Sequence, residues 1–240
     1  MAWHAKPLVG FDLETTGTDP LQARIVTAAV VQVGERDPLE LRFWLADPGV
    51  RIPEQASAIH GISSERAAAE GRPAREVADE IASALCAHWE RDVPVVAYNA
   101  AFDLTLLSAE LQRHGLPSLS ERLQGRSIGP VIDPYTIDRA VDRYRKGKRT
   151  LEAVSAEYGT PLDDAHDAIS DAVAAVRVAR ALAKRHAQVA ALDPAELHQR
   201  QIGWYAQWAQ DFEAFLRSKG TADASVDGAW PLRDLAPAIT

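Results

Sequence analysis

The segment "FDLETTG", residues 11–17, sets Asp12 and Glu14 in a run that otherwise has the make-up of a buried strand. Side chains alternate along a strand, so the two carboxylates share a face, roughly 6.5 to 7 Å apart along the backbone. Acids this close repel each other, and burying them unpaired is costly. A divalent cation relieves both problems, and hard oxygen ligands suit Mg²⁺ or Mn²⁺ rather than zinc. The competing reading is an edge strand with both acids in water. The apolar approach "LVGF" weighs against it.

The elements around this strand predict a mixed sheet with helices on its faces. "KPLVGFDLE" (6–14), "RIVTAAVVQVG" (24–34) and "LELRFWLADP" (39–48) read as three strands, the last two joined by a hairpin at Glu35 to Pro38. "IPEQASAIHGISSE" (52–65) reads as irregular. "AREVADEIASALCAHW" carries Val77, Ile81, Leu85 and Trp89 at helical spacing. "VPVVAYN" (93–99) has the wholly apolar texture of a central strand, followed by a helix that Gly115 closes. In that helix Phe102, Leu106 and Leu107 share one side. "GPVIDP" is a brief strand, and helices are expected over 134–145, 150–158 and from near His166 to Arg185, the last with Ile169, Val173, Val176 and Ala179 inward. After Leu192 an Asp-Pro opening starts a helix with Trp204, Trp208, Phe212 and Phe215 at helical spacing, expected to pack as core. The last twenty residues read as a tail, ordered only if Trp230 docks.

Composition narrows the function. A 240-residue chain with 47% apolar and 25% charged residues is globular, and a net charge of −8 argues against coating nucleic acid through the overall field. The single Cys86 cannot form an internal disulfide, and no segment approaches a membrane span, so a cytoplasmic location is expected. The start of the chain lacks a signal-peptide pattern. Six basic residues in "RAVDRYRKGKR" (139–149) could hold a phosphate backbone, although a solvated loop is the plainer expectation.

Further acids accompany the first two. Asp103 falls in the first turn of the helix after "VPVVAYN", where the helix dipole alone favours an acid. In "HDAISDA", His166 and Asp171 are five residues apart and cannot share a helical face. His166 therefore fits just before the helix, with Asp171 reaching the site from the second turn. Asp167 shares a face with Asp171 and is a rival ligand, or a first-turn acid.

"FDLETTG", "YNAAFD" and "HDAISDA", in this order and context, resemble the three signature motifs of the DEDDh 3′–5′ exonucleases, the family that includes the proofreading subunit of bacterial DNA polymerase III. The resemblance covers about residues 6–185. It implies a ribonuclease H-like α/β fold, an exonuclease domain over 1–190 and a C-terminal helix and tail over 191–240. It makes Asp12, Glu14, Asp103 and Asp171 the metal-site acids for two Mg²⁺ (or Mn²⁺) ions, and His166 the general base. "HGIS" (60–63) resembles a segment lining the terminal-nucleotide pocket, so His60 joins Leu13, Thr15, Thr16, Asn99 and Phe102 as expected substrate contacts. Asn99 is also expected to cap its helix, and Phe102 to pack beneath it. Tyr98 stands where many relatives have His, a departure that bears on substrate preference.

The implied reaction releases 5′-mononucleotides from single-stranded 3′ ends, DNA being favoured, in proofreading or repair. A DNA polymerase or another replication or repair protein would be the partner, acting in trans. An RNA-trimming exoribonuclease of the same family and a catalytically inactive nucleic-acid-binding module remain the alternatives.

Overall fold

The computed structural model describes residues 2–34, 38–160, 162 and 167–235. A 3-10 turn at Trp3–Ala5 leads into β1 (Leu8–Thr15), β2 (Ile25–Val33) and β3 (Pro38–Asp47), an antiparallel meander. Next come α1 (Glu54–His60), α2 (Ser64–Glu70), β4 (Arg72–Pro73) and α3 (Ala74–Trp89). Then follow β5 (Val95–Val96), α4 (Ala100–Arg113), α5 (Leu119–Arg122), β6 (Val131–Ile132), α6 (Pro134–Val141) and α7 (Leu151–Glu157). The described chain ends with α8 (Ala168–Arg185), α9 (Ala187–Ala190), α10 (Pro194–Ser218) and a tail. The strands order as β4-β3-β2-β1-β5-β6, with β4, β5 and β6 parallel to their inner neighbours. This is the mixed sheet flanked by helices that the sequence implies.

β1 lies between β2 and β5, so its acids are not on an edge. Its alternation splits the core in two. Val9, Phe11 and Leu13 join the cluster of α3 and α4, whereas Leu8 packs into the cluster dominated by α8. Gly10 shares the face of Leu8, Asp12 and Glu14. A Cβ there would stand 2.3 Å from the Ala172 carbonyl oxygen, so the glycine is what lets α8 press against the strand.

Several expectations change. Residues 52–65 are not irregular: they hold α1 and the first two residues of α2, which is started by Ser63, whose hydroxyl accepts the Arg66 N–H. The "VPVVAYN" strand pairs only at Val95 and Val96. The helix expected over 134–145 stops at Val141, and the next begins at Leu151 with Thr150 as its cap. The expected hairpin at Glu35 to Pro38 lies largely outside the described residues, between antiparallel neighbours.

The C-terminal segment is tied to the sheet. β6 is an edge strand, and an edge leaves unpaired N–H and C=O groups. α10 supplies the missing partners. Gln201 donates from Nε2 to the Val131 carbonyl at 2.9 Å and accepts the Asp133 N–H at 2.7 Å, while His198 Nδ1 accepts the Val131 N–H at 3.1 Å. The buried face of α10 is therefore Leu197, His198, Gln201, Tyr205 and Ala209. This corrects the expectation that its aromatic stripe is core: Trp204 and Trp208 are half-buried, and Phe212 and Phe215 are exposed. Trp230 does dock, 5% exposed in the main cluster, and its indole N–H donates to Asp133 at 3.4 Å.

Candidate active site

The acids of β1 meet α8 just below the Gly10 contact. Asp12, Glu14 and Asp171 each offer a carboxylate oxygen, and these oxygens all lie within 4.8 Å of one another. α8 starts at Ala168, so Asp171 reaches the site from the first turn, not the second. Asp167 is the N-cap, with its carboxylate accepting the Ser170 N–H at 3.1 Å and hydroxyl at 3.0 Å. The rival ligand thus caps the helix and stands outside the triad. His166 lies outside the described residues.

Asp103 is buried beside the triad, in the first turn of α4. β5 pairs with β1 only at Val9 and Gly10, which leaves the far end of that β1 edge open, where the Leu13 backbone favours the charged form of Asp103. Its oxygens are not within the close triad.

The path that brings Asp103 into place depends on a residue the sequence reading passed over. Asn99 adopts the left-handed region (φ 65°), which asparagine tolerates better than most residues, but its side chain makes no cap. The cap is Asp133, fully buried at the start of α6. Its Oδ1 accepts the Asn99 N–H at 2.9 Å and its Oδ2 the Ala100 N–H at 3.2 Å. The same carboxylate caps α6 through Tyr135 N–H and Thr136 N–H, and takes the Thr136 hydroxyl at 2.8 Å. The Asp-Pro pair at 133–134, an N-cap with proline at N1, was the available signal.

Electrostatics make the cluster expensive without a counter-charge. Burial, then the charges of Asp103, Asp171 and Glu14, raise Asp12 well above the usual carboxylate range. Burial, then Asp171 and Asp167, push Glu14 up to about 8. Burial raises Asp103 as well, in part offset by the backbone at its own position and at Leu13. An all-carboxylate oxygen set that holds protons this tightly when alone fits a hard divalent cation, which displaces those protons and cancels the repulsion. The donor set therefore suits Mg²⁺ or Mn²⁺ chemistry, as its residue types imply.

Beside the triad is a cleft of about 330 Å³ lined by Glu14, Thr15, Thr16, Pro53, Ile59 and His60, among others. It brings together residues expected from distant parts of the chain. His60 Nδ1 accepts the Ile62 N–H at 3.2 Å, which leaves the proton of the neutral ring on Nε2. That Nε2 is buried without a hydrogen-bond partner among the described residues, and burial lowers the imidazole pKa. Thr15 donates to the Gly17 carbonyl at 2.8 Å, and the Thr16 hydroxyl accepts the Arg24 N–H at 2.9 Å, so both also shape the turn. Leu13 points the other way, into the core, and Phe102 packs half-buried against that core.

The chain is similar to known proteins in sequence and in fold. The family model described as Exonuclease (RNase_T) matches residues 9–179. The PolC-type DNA polymerase III of Streptococcus thermophilus is 29% identical over 171 residues, covering 71% of this chain and 11% of that protein. The Staphylococcus saprophyticus protein of the same description is 28% identical over 163 residues, 68% of this chain and 10% of its own. The chain thus spans about a tenth of the length of these curated relatives. Among solved structures, Exonuclease I from Methylocaldum szegediense superposes with a TM-score of 0.59 at 27% identity, over 77% of this chain and 42% of that one. Escherichia coli Exonuclease I in complex with a dA16 oligonucleotide gives 0.61 at 21% identity with the same coverage, which supports the ribonuclease H-like fold. With the family model matching most of its length, this chain belongs to the Exonuclease (RNase_T) family, and within it to the DEDDh 3′–5′ type.

Proposed function

We propose that this chain hydrolyses phosphodiester bonds of DNA from the 3′ end and releases 5′-mononucleotides, in proofreading or repair, using two Mg²⁺ or Mn²⁺ ions. The observation that carries this reading is the convergence of Asp12, Glu14 and Asp171 within 4.8 Å at the mouth of the His60 cleft. Asp12, Glu14 and Asp171 would hold the metal, with Asp103 completing the acid set. Divalent cations bound there would supply Lewis-acid stabilisation of the phosphate and a lowered pKa for water.

The chain's own groups do the rest. The cleft walls, Thr15, Thr16 and His60, seat the terminal nucleotide, and the unpartnered Nε2–H of His60 is a donor for it. Asp133 holds the start of α4, and with it Asn99, Phe102 and Asp103, against the scissile bond. In this reading His166 takes the proton from the attacking water, a task that suits a near-neutral imidazole. His166 is assigned from the sequence.

The DNA preference is supported by the polymerase relatives and by an Exonuclease I relative bound to a DNA oligonucleotide. The same likeness supports single-stranded 3′ ends as substrate and a polymerase or another replication or repair protein as partner. We also place the protein in the cytoplasm. No helix among the described residues is long and apolar enough to cross a membrane.

Matched single-stranded DNA and RNA oligomers, incubated with Mg²⁺, Mn²⁺ or EDTA, test the reading. Metal-dependent laddering from the 3′ end, faster on DNA, is expected. Faster RNA trimming would move the assignment to an exoribonuclease, and intact oligomers under every metal would leave only a binding module.

A further inference from the structure

Arg139, near the end of α6, is held between two aromatic rings. Its guanidinium carbon is 4.0 Å from the ring centre of Tyr135 and 4.0 Å from that of Trp208 on α10. Its Nη1 is buried with no hydrogen-bond partner, and it forms no ion pair among the described residues. A stacked, desolvated guanidinium without an anion is costly to leave alone and well prepared to take one.

The surroundings are cationic although the chain is acidic. A groove of about 500 Å³ is lined by Tyr135, Arg139, Arg143, Lys148, Arg149 and Trp208. Most of this loop is exposed, as expected of a solvated basic loop, but two of its arginines are tied down. Arg145 and Arg149 are bound to the fully buried Asp138, the former at 2.6 Å, and so fix the loop's shape. Arg143 pairs with Asp211 at the surface, and Lys148 is exposed.

The groove has two ends. At one, Tyr135 meets Tyr98 with ring centres 5.4 Å apart, and Tyr98 directly precedes Asn99 at the entry to α4 and Asp103. At the other, Trp208 begins a ladder of nearly parallel rings along α10. Trp208 and Phe212 are 5.6 Å apart at 15°, and Phe212 and Phe215 are 6.4 Å apart at 16°. Phe212 is 38% and Phe215 52% exposed.

We propose that this groove is a second binding site, which holds the phosphodiester backbone of a single nucleic-acid strand upstream of the 3′ end seated at the acidic triad. Arg139 takes a phosphate, Lys148 and Arg143 add charge, and the exposed rings of α10 contact bases. The inference rests on the exonuclease reading for the direction of the strand. Trp208, Phe212 and Phe215 lie beyond residue 179, where the family match ends, so half of the site is built by this chain's C-terminal extension. An acidic peptide would satisfy the arginine but has no use for a ladder of flat rings. Nucleotides use both.

The test separates this site from the triad. Binding of labelled oligothymidylates of about four and about 20 nucleotides is read by anisotropy in EDTA. kcat/KM is measured with Mg²⁺ on the longer oligomer and on the p-nitrophenyl ester of thymidine 5′-monophosphate, which reaches only the acidic site. The wild type is expected to bind the longer strand at least about tenfold more tightly. Arg139→Gln and Lys148→Glu should each weaken that binding by about fivefold or more, lower its salt slope by about 1, and reduce the ratio of oligomer to ester kcat/KM. Lys148→Glu combined with Phe212→Ser, both at exposed positions, decides the matter if Arg139→Gln fails to fold. Unchanged affinity in these variants overturns the proposal. So does displacement of the strand by poly-glutamate at equal concentration, which would assign the groove to an acidic protein. Length-dependent binding without ester hydrolysis would sink the exonuclease reading and keep the groove, and hydrolysis without length dependence would do the reverse.

Discussion

Replacing Gly10 by alanine tests how the triad is held together. A Cβ at Gly10 would meet the Ala172 carbonyl oxygen at 2.3 Å, the Ala172 carbonyl carbon at 2.8 Å and Val176 Cγ2 at 3.2 Å. The first two are backbone atoms and cannot rotate away. An ordinary contact needs about 3.4 Å, so α8 or β1 must shift by about 1 Å. β1 is fixed between β2 and β5, which leaves α8 to move, and Ala172 is the residue after Asp171. Forcing one methyl group into a packed interface costs about 1–3 kcal/mol. In a chain of this size that lowers Tm by about 2–4 °C for each kcal/mol. A 1 Å displacement of a catalytic group costs about 10²-fold in rate. Gly10→Ala should therefore melt several degrees lower and lose about two orders of magnitude in kcat with Mg²⁺, and the activity loss should persist well below Tm. A Gly10→Ala protein that melts within a degree of wild type and keeps its activity would refute the view that helix–strand contact sets the triad.

The other expectations are more local. Asp171→Asn should lower kcat by at least about 10²-fold yet raise the melting temperature of the metal-free protein, because it removes one of three mutually repelling acids; a parallel loss of stability and activity would count against the repulsion. Glu14, raised by burial and by Asp171 and Asp167, keeps its proton in the folded state up to about pH 8, whereas an ordinary glutamate releases it near 4.5. The unfolded chain therefore binds fewer protons across that window, so stability in EDTA should fall as pH rises from about 5 to 8, and Asp12 acts in the same direction. Thermal melts with Mg²⁺ should show a flatter profile, and identical profiles with and without metal would contradict the site. Asp133→Asn keeps the volume but sets an amide N–H₂ against donors from Asn99, Ala100 or Thr136, so a loss of about 2–3 kcal/mol and a lower kcat are expected by denaturant titration and assay. Gly203→Ala, in the exposed interior of α10 with nothing within 4 Å of the new methyl, should stabilise by about 0.5–1 kcal/mol with activity unchanged.

Local pattern made much of this legible. Acids at alternate strand positions, the helical spacings of α3, α4 and α8, and the Asp-Pro start of α10 are written within a few residues of one another, and the structure keeps all of them. α1 and α2 leave no pattern in the sequence, for a physical reason. They are seven residues each, and α1 buries none of its side chains, so no apolar periodicity marks it. The aromatic spacing of α10 was real but named the wrong face. The helix buries His198 and Gln201 because the edge of β6 needs polar partners, a demand that no hydrophobic pattern expresses. Asn99 looked like its helix's cap because capping is usually local, whereas the actual cap, Asp133, comes from 34 residues away.

These misses share a cause that bears on how the site works. The residues proposed to carry the chemistry, Asp12, Glu14, Asp103 and Asp171, can be picked out by type and order, since that chemistry would demand carboxylates. Their convergence depends on residues that carry none. Gly10 sets the distance between β1 and α8 by having no side chain. Asp133 sets the start of α4 and, through Gln201 and Trp230, ties that start to the C-terminal extension. The extension is therefore coupled to the acids through Asp133, by its backbone N–H to Gln201 and its carboxylate to Trp230, and a perturbation of α10 at Gln201 should reach Asp103 without touching it. Gln201→Leu, which leaves the Val131 carbonyl and the Asp133 N–H unpaired, should lower kcat together with stability. Gln207→Leu, on the exposed side of the same helix, should do neither.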